Sequence, residues 1–170
     1  ATVAKMPALM QIAAAVMMDA RSVGLEPSFG SEIMLAGMAR GLKKAVVSLE
    51  SVALQMASLS DTDDTEAMLS TSLQQAENGA ARRMLVRLHK AWGDGNVADM
   101  ENLDKWCECL DTEADRRLLT RLNDDRNPAL AAGIASLHSE GKRVFAAVGT
   151  LHMFGAKGLR DNPRNRRELL

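Results

Sequence analysis

Three side chains stand out because their types and placements suit chemistry. His152 lies in "VFAAVGTLHMFG" (144–155), just past an apolar run and between Gly149 and Gly155. Glu50 directly follows the short β-branched run "AVVSL" (45–49). If both runs are parallel strands, each residue leaves a carboxyl end, the edge at which open α/β sheets bind ligands. A carboxylate and an imidazole there bind a divalent metal or act as base and orienter. The plain alternative is a loop histidine with its hydrogen bond satisfied. Arg126 precedes the start of a helix in "DDRNPAL". It is either an anion or oxyanion anchor or a surface partner of Asp124 or Asp125. Glu26, in the loop "GLEPSFG", is either a second carboxylate for the site or a solvated loop residue. Glu50 and His152 are expected on one edge of one sheet, close enough to share a metal or a water. His89 and His138 read as helix-surface residues and are given no site role.

The elements that must position these groups are mostly helical. Ala, Leu and Met dominate the chain, and all three favour helix. Helices are expected over 7–23, 31–42, from 51, from a polar turn at 61–64 to 78, and over 80–92, 97–110 and 112–122. The clearest helix is "RNPALAAGIASLHSEG", with Asn127 as cap, Pro128 at the first position and Gly141 as the stop. Leu130, Ile134 and Leu137 form its buried stripe. Two strands are expected, at 45–49 and 142–148. Together these predict an α/β fold, predominantly helical with a small, incomplete and mostly parallel sheet.

The totals narrow the classes of function. At 170 residues the chain suffices for one core. A net charge of −1 and 3% aromatic residues argue against nucleic acid as a partner. No apolar run reaches the ~20 residues of a membrane span. No signal peptide is read, and the compartment stays open between the cytoplasm and an exported, periplasmic location. The two cysteines of "WCEC" lack zinc spacing and read as ordinary thiols on a helix. Methionines spaced four apart, such as Met34 and Met38, read as core.

The segments "GLEPSFGSEIMLAGMARGLKKAVVSLESVALQ", "AWGDGNVADMENL", "RNPALAAGIASL" and "VFAAVGTLHMFGAKGL" occur in the order and spacing of a known family. Over residues 5–159 the chain resembles the C-terminal part of the TraB/GumN family, relatives of the TIKI metalloproteases. "GTLH" resembles that family's second GxxH motif, "SLESVALQ" its Leu-Glu…Gln stretch, and "RNPAL" its Arg-Asn-x-x-Met. The resemblance implies an α/β domain, here over 1–159, while the polar and basic run "RDNPRNRRELL" (160–170) reads from its composition as a disordered tail. It implies a site built from two GxxH histidines, acidic residues and an arginine, linked in the TIKI branch to metal-dependent proteolysis. Carried over by position, the catalytic candidates are Glu50, Arg126 and His152. The metal ligands would be His152, Glu50 and Glu26, holding Mn, Co or Zn, with a peptide as substrate. The only Gly-x-x-His of the chain is Gly149–His152, so the implied first motif is lacking.

Two functions of different kinds follow: a metal-dependent hydrolase, of which this chain alone is expected to be inactive, or a non-catalytic binding or oligomerisation module. So few strands leave open edges, which predicts a homo-oligomer, most simply a two-fold dimer.

Overall fold

The computed structural model describes residues 3–60 and 64–160. Their regular structure is helical: α1 (Ala8–Ser22), α2 (Ser31–Gly41), α3 (Val52–Ser58), α4 (Thr65–Glu77), α5 (Ala80–Gly93), α6 (Val97–Glu101), α7 (Leu103–Trp106), α8 (Glu113–Leu119) and α9 (Asn127–Ser139). A wide π turn spans Thr120–Asp124 and a 3-10 turn spans Thr150–Met153. The chain divides into two compact units, Ala1–Gly30 with Met56–Arg117, and Ser31–Gln55 with Leu118–Leu170.

In the first unit α1 packs on α4 and α5, and α5 on α6. Ala80, Ala81 and Ala91 are buried on α5, and their small side chains let neighbouring helices come close. Asn78 Oδ1 accepts the first free N–H of α5, from Ala80, at 2.8 Å. A reciprocal capping box opens α8: the Asp115 N–H donates to Thr112 Oγ1, and the Thr112 N–H donates to the Asp115 carboxylate. The helix expected over 97–110 is split at Asn102, whose side chain donates to the Ala98 carbonyl at 2.7 Å. Cys107 lies just past α7 in extended conformation and is bonded to Cys109. The expectation of two free thiols on one helix is therefore corrected. Of the polar turn expected at 61–64, residues 61–63 lie outside the described residues. Asp64 pairs with Arg117 at 2.8 Å rather than capping α4.

The second unit is built around α9. Leu130, Ala131 and Leu159 form its buried cluster, with Leu49, Val148 and Met153 packed against them. α9 begins one residue earlier than expected, with Arg126 at the cap position and Pro128 second in the helix, while Gly141 takes the expected stopping position with φ 76°.

The expected α/β fold is not found: no strand and no sheet occur among the described residues. Residues 45–49 and 142–148 are irregular chain, and their backbone N–H groups beyond Lys142 donate to no backbone carbonyl. The physical reason is visible at their ends. Leu49 and Val148 both pack on the α9 cluster, but Val46, Val47 and Phe145 remain exposed. Each segment packs an end residue on α9 without forming a ladder, and two strands alone make only a marginal sheet. The sequence pattern reported their hydrophobicity, not a pairing partner. Of the tail expected to be disordered, residues 161–170 lie outside the described residues. Arg160 stacks its guanidinium 4.8 Å from the Phe154 ring centroid.

Candidate functional site

A cleft of about 1470 Å³ lies in the second unit, lined by α2, residues 44–50 and residues 142–152. Leu35, Met38 and Leu137 are among its apolar lining residues, and Glu50, Arg126 and His152 are among its polar ones, together with Glu32, Lys142 and Arg143.

Glu50 and Arg126 are joined in a two-pronged ion pair. Arg126 Nε donates to Glu50 Oε1 at 2.7 Å, and Nη2 donates to Oε2 at still closer range. The Glu50 side chain is 5% exposed and that of Arg126 22%. The hydrogen bonds from Arg126 hold the Glu50 carboxyl below its ordinary range, against the opposing effect of burial and with help from the Gln55 side chain. Arg126 Nη1 also donates to the Leu122 carbonyl at 2.7 Å, within the π turn that precedes α9. Three of the five guanidinium N–H groups are thus engaged, leaving one on Nη1 and one on Nη2.

His152 is 9% exposed and sits in the 3-10 turn after Gly149. Its Nδ1 lies 2.6 Å from Asn127 Oδ1. The Asn127 amide can point only one way, because its Nδ2 donates to the Lys157 carbonyl at 2.8 Å. Oδ1 therefore accepts, and Nδ1 carries the proton. The neutral ring then has its lone pair on Nε2, which has no hydrogen-bond partner among the described residues. Burial, followed by the positive charge of Arg126, pushes the His152 pKa down, and Glu50 and Asp124 oppose this in part. Both effects favour the neutral ring.

The loop that carries His152 folds back on itself. The Leu159 N–H donates to the His152 carbonyl at 2.8 Å, and Asn123 Nδ2 donates to the Leu151 carbonyl at 3.2 Å. Gly158 is pressed against this loop: a Cβ there would lie 2.7 Å from the Met153 carbonyl oxygen and from Phe154 backbone atoms. Gly158→Ala must therefore displace backbone. It is expected to cost about 1–3 kcal/mol, read as a fall in Tm of about 2–4 °C per kcal/mol.

The structure thus brings Glu50, Arg126 and His152 to one cleft, although no sheet edge places them there. Glu26 belongs to the first unit, where it is exposed and pairs with Arg21 at 3.3 Å. Arg126 pairs with Glu50 rather than with Asp124 or Asp125. His89 and His138 are exposed on helices. Asn127 was missed as a site residue. Expected as the helix cap, it is instead the first residue of α9, with Arg126 at the cap position, and it is fully buried. The signal was present in the spacing, since Asn127, Leu130, Ala131 and Ile134 share the buried face of α9.

A resident metal is not accommodated by these groups alone. Both Glu50 oxygens are taken by Arg126, which leaves one imidazole nitrogen where a catalytic metal needs about three protein ligands. Among the described residues no group of three or more His, Cys, Asp or Glu could hold a metal ion. No described helix is long and apolar enough to cross a membrane. No curated protein and no solved structure matches the sequence. The model of the TraB/PrgY/gumN family does match, over residues 1–167, and with nearly the whole chain covered the protein belongs to that family.

Proposed function

We propose that the cleft of the second unit is a hydrolytic site acting on a peptide or related acyl substrate. One observation carries this reading: a neutral histidine with a free Nε2, held by a buried asparagine, in the cleft that also contains an arginine with two uncommitted N–H groups. Nε2 can take a proton from an attacking water, while the Arg126 N–H groups can donate to an oxygen that becomes negative. Glu50 is ionised and fully engaged, so it orients Arg126 and is a poor base. The metal-dependent version of this chemistry needs ligands beyond those that the described residues provide, and no step is assigned to a metal.

A second reading, a non-catalytic binding or oligomerisation module, is favoured by a different observation. Val46, Val47 and Phe145 are exposed along segments lining the same cleft, with backbone N–H groups free of backbone partners. A second copy of the chain, in a two-fold dimer, is the simplest occupant.

One experiment separates the two. Hydrolysis of an activated ester is measured for the chain and for His152→Ala, with and without Mn²⁺, Co²⁺ or Zn²⁺, alongside light scattering at micromolar concentration. The hydrolytic reading predicts a rate that falls about 100-fold or more in the variant. Equal rates in both proteins under every condition would overturn it, and a dimer in the same samples would then support the binding module.

A further inference from the structure

The first unit contains a reactive pair that the cleft chemistry does not use. Cys107 and Cys109 are joined across a single intervening residue. Cys107 is 3% exposed and its Sγ lies 3.6 Å from Met84 Sδ on α5. Cys109 is exposed. We propose that this pair is a thiol–disulfide exchange site for low-molecular-weight thiols of the glutathione type.

Three observations carry the proposal. First, the bridge is poorly suited to be a structural staple. Closing so short a loop removes little entropy from the unfolded chain. The segment is also held by other means: Leu103 and Leu110 are buried on either side, Gln75 Nε2 donates to the Glu108 carbonyl at 2.7 Å, and Arg83 pairs with the Glu108 carboxylate at 3.6 Å. Second, the two sulfurs differ in access, so an incoming thiolate meets Cys109 and is shielded from Cys107. Third, Cys107 keeps an apolar seat in either redox state, because a free buried cysteine behaves as a small hydrophobic residue. Reduction therefore asks little of the surrounding helices.

The chemistry balances as follows. A thiolate attacks Cys109 Sγ, forming a mixed disulfide. The old S–S bond breaks, and its electron pair leaves on Cys107 Sγ, which takes up a proton. A second thiolate attacks the small-molecule sulfur of the mixed disulfide and releases Cys109 as a thiol after protonation. Two small thiols are oxidised to one disulfide, and the protein disulfide is reduced to a dithiol. The reverse sequence, begun by oxidised glutathione, restores the bridge, with Cys107 resolving the mixed disulfide at Cys109.

The test uses the whole native chain in mixtures of reduced and oxidised glutathione, followed by acid quench, alkylation and mass measurement. The expected result is reversible passage between zero and two alkyl groups per chain, with the helical circular dichroism unchanged. In Cys109→Ser, Cys107 should resist alkylation until denaturant is added. The proposal is overturned if the native chain keeps its bridge in excess reduced glutathione and exchanges only when unfolded. It is also overturned if reduction abolishes the helical signal, which would make the bridge a staple. Native alkylation of Cys107 in the serine variant would remove Cys109 as the point of attack.

Discussion

Glu50→Ala is expected to destabilise the second unit by about 3–5 kcal/mol, because it strips the partner from a guanidinium that is only 22% exposed. The Arg126 Nε and Nη2 donors lose both carboxylate oxygens, and alanine offers no acceptor in their place. Glu50→Gln keeps one acceptor oxygen and should cost clearly less. The double variant Glu50→Leu/Arg126→Met should recover much of the loss, since well-packed apolar replacements of a buried pair are often neutral. Recovery of stability without recovery of ester hydrolysis would show that the pair serves the cleft rather than the core. Urea unfolding of the four proteins provides the comparison, and a cost below 1 kcal/mol for Glu50→Ala would mean that the pair is solvated. The same pair sets an acid limit. The folded pKa of Glu50 is depressed, so its contribution is complete above the ordinary value of 4.5 and is lost as pH falls through the lower folded value. His152 acts in the same direction at higher pH. Its folded pKa lies below 6.5, so the unfolded chain binds that proton more readily. Its contribution is complete above about 6.5 and declines as pH falls below it. Stability should therefore fall in two stages on acidification, with the upper stage lost in His152→Gln and the lower stage reduced in Glu50→Gln, where Asp99, held low by Arg87, still contributes.

How much of this was legible in the sequence depends on which interactions are local. Pro128 and Gly141 delimit α9 as their backbone preferences require, and the buried stripe through Leu130 and Ile134 follows from helical periodicity. Bringing Glu50 and His152 together could also be anticipated, because each follows an apolar run, whereas Arg126 joins them only through the family resemblance. The residues are gathered not by a shared sheet edge but by Leu49 and Val148 packing on α9. A run such as "AVVSL" records that its side chains prefer an apolar neighbour. It contains no information on whether a second backbone lies at hydrogen-bonding distance. Pairings over long separations were equally hidden. Nothing local distinguishes Glu50 from Asp124 or Asp125 as the partner of Arg126, and the choice is made 76 residues away. The 107–109 bridge is hidden for the opposite reason: helical periodicity runs on through Asn102, although an asparagine that bonds its own backbone tends to interrupt a helix.

Asn127→Leu is expected to be the most damaging single change on α9. Leucine has the same number of side-chain heavy atoms and adds no charge, but its methyl groups are bulkier than the planar amide, so some overpacking adds to the loss of the hydrogen bonds. The wild-type side chain is fully buried and makes two hydrogen bonds, accepting from His152 Nδ1 and donating to the Lys157 carbonyl. Leucine satisfies neither group, and each buried polar atom left unpaired costs about 1–3 kcal/mol. The expected loss is about 2–5 kcal/mol, with the Lys157 carbonyl regaining water more easily than the enclosed ring. The chemical consequence differs from the thermodynamic one. Without an acceptor at Nδ1, the ring gains by moving its proton to Nε2, where the cleft admits water. The lone pair then faces the protein interior, and the proposed base is lost. Nitrogen-15 NMR of the imidazole distinguishes the two tautomers directly, and the wild-type ring should show protonated Nδ1 and bare Nε2. Asn127→Asp provides the complementary case. It keeps an acceptor for Nδ1 but places a carboxylate beside the ring, which favours the imidazolium and should raise the His152 pKa. If Asn127→Leu retains both its stability and an Nδ1-protonated ring, the asparagine does not set the tautomer, and the hydrolytic reading loses the observation on which it rests.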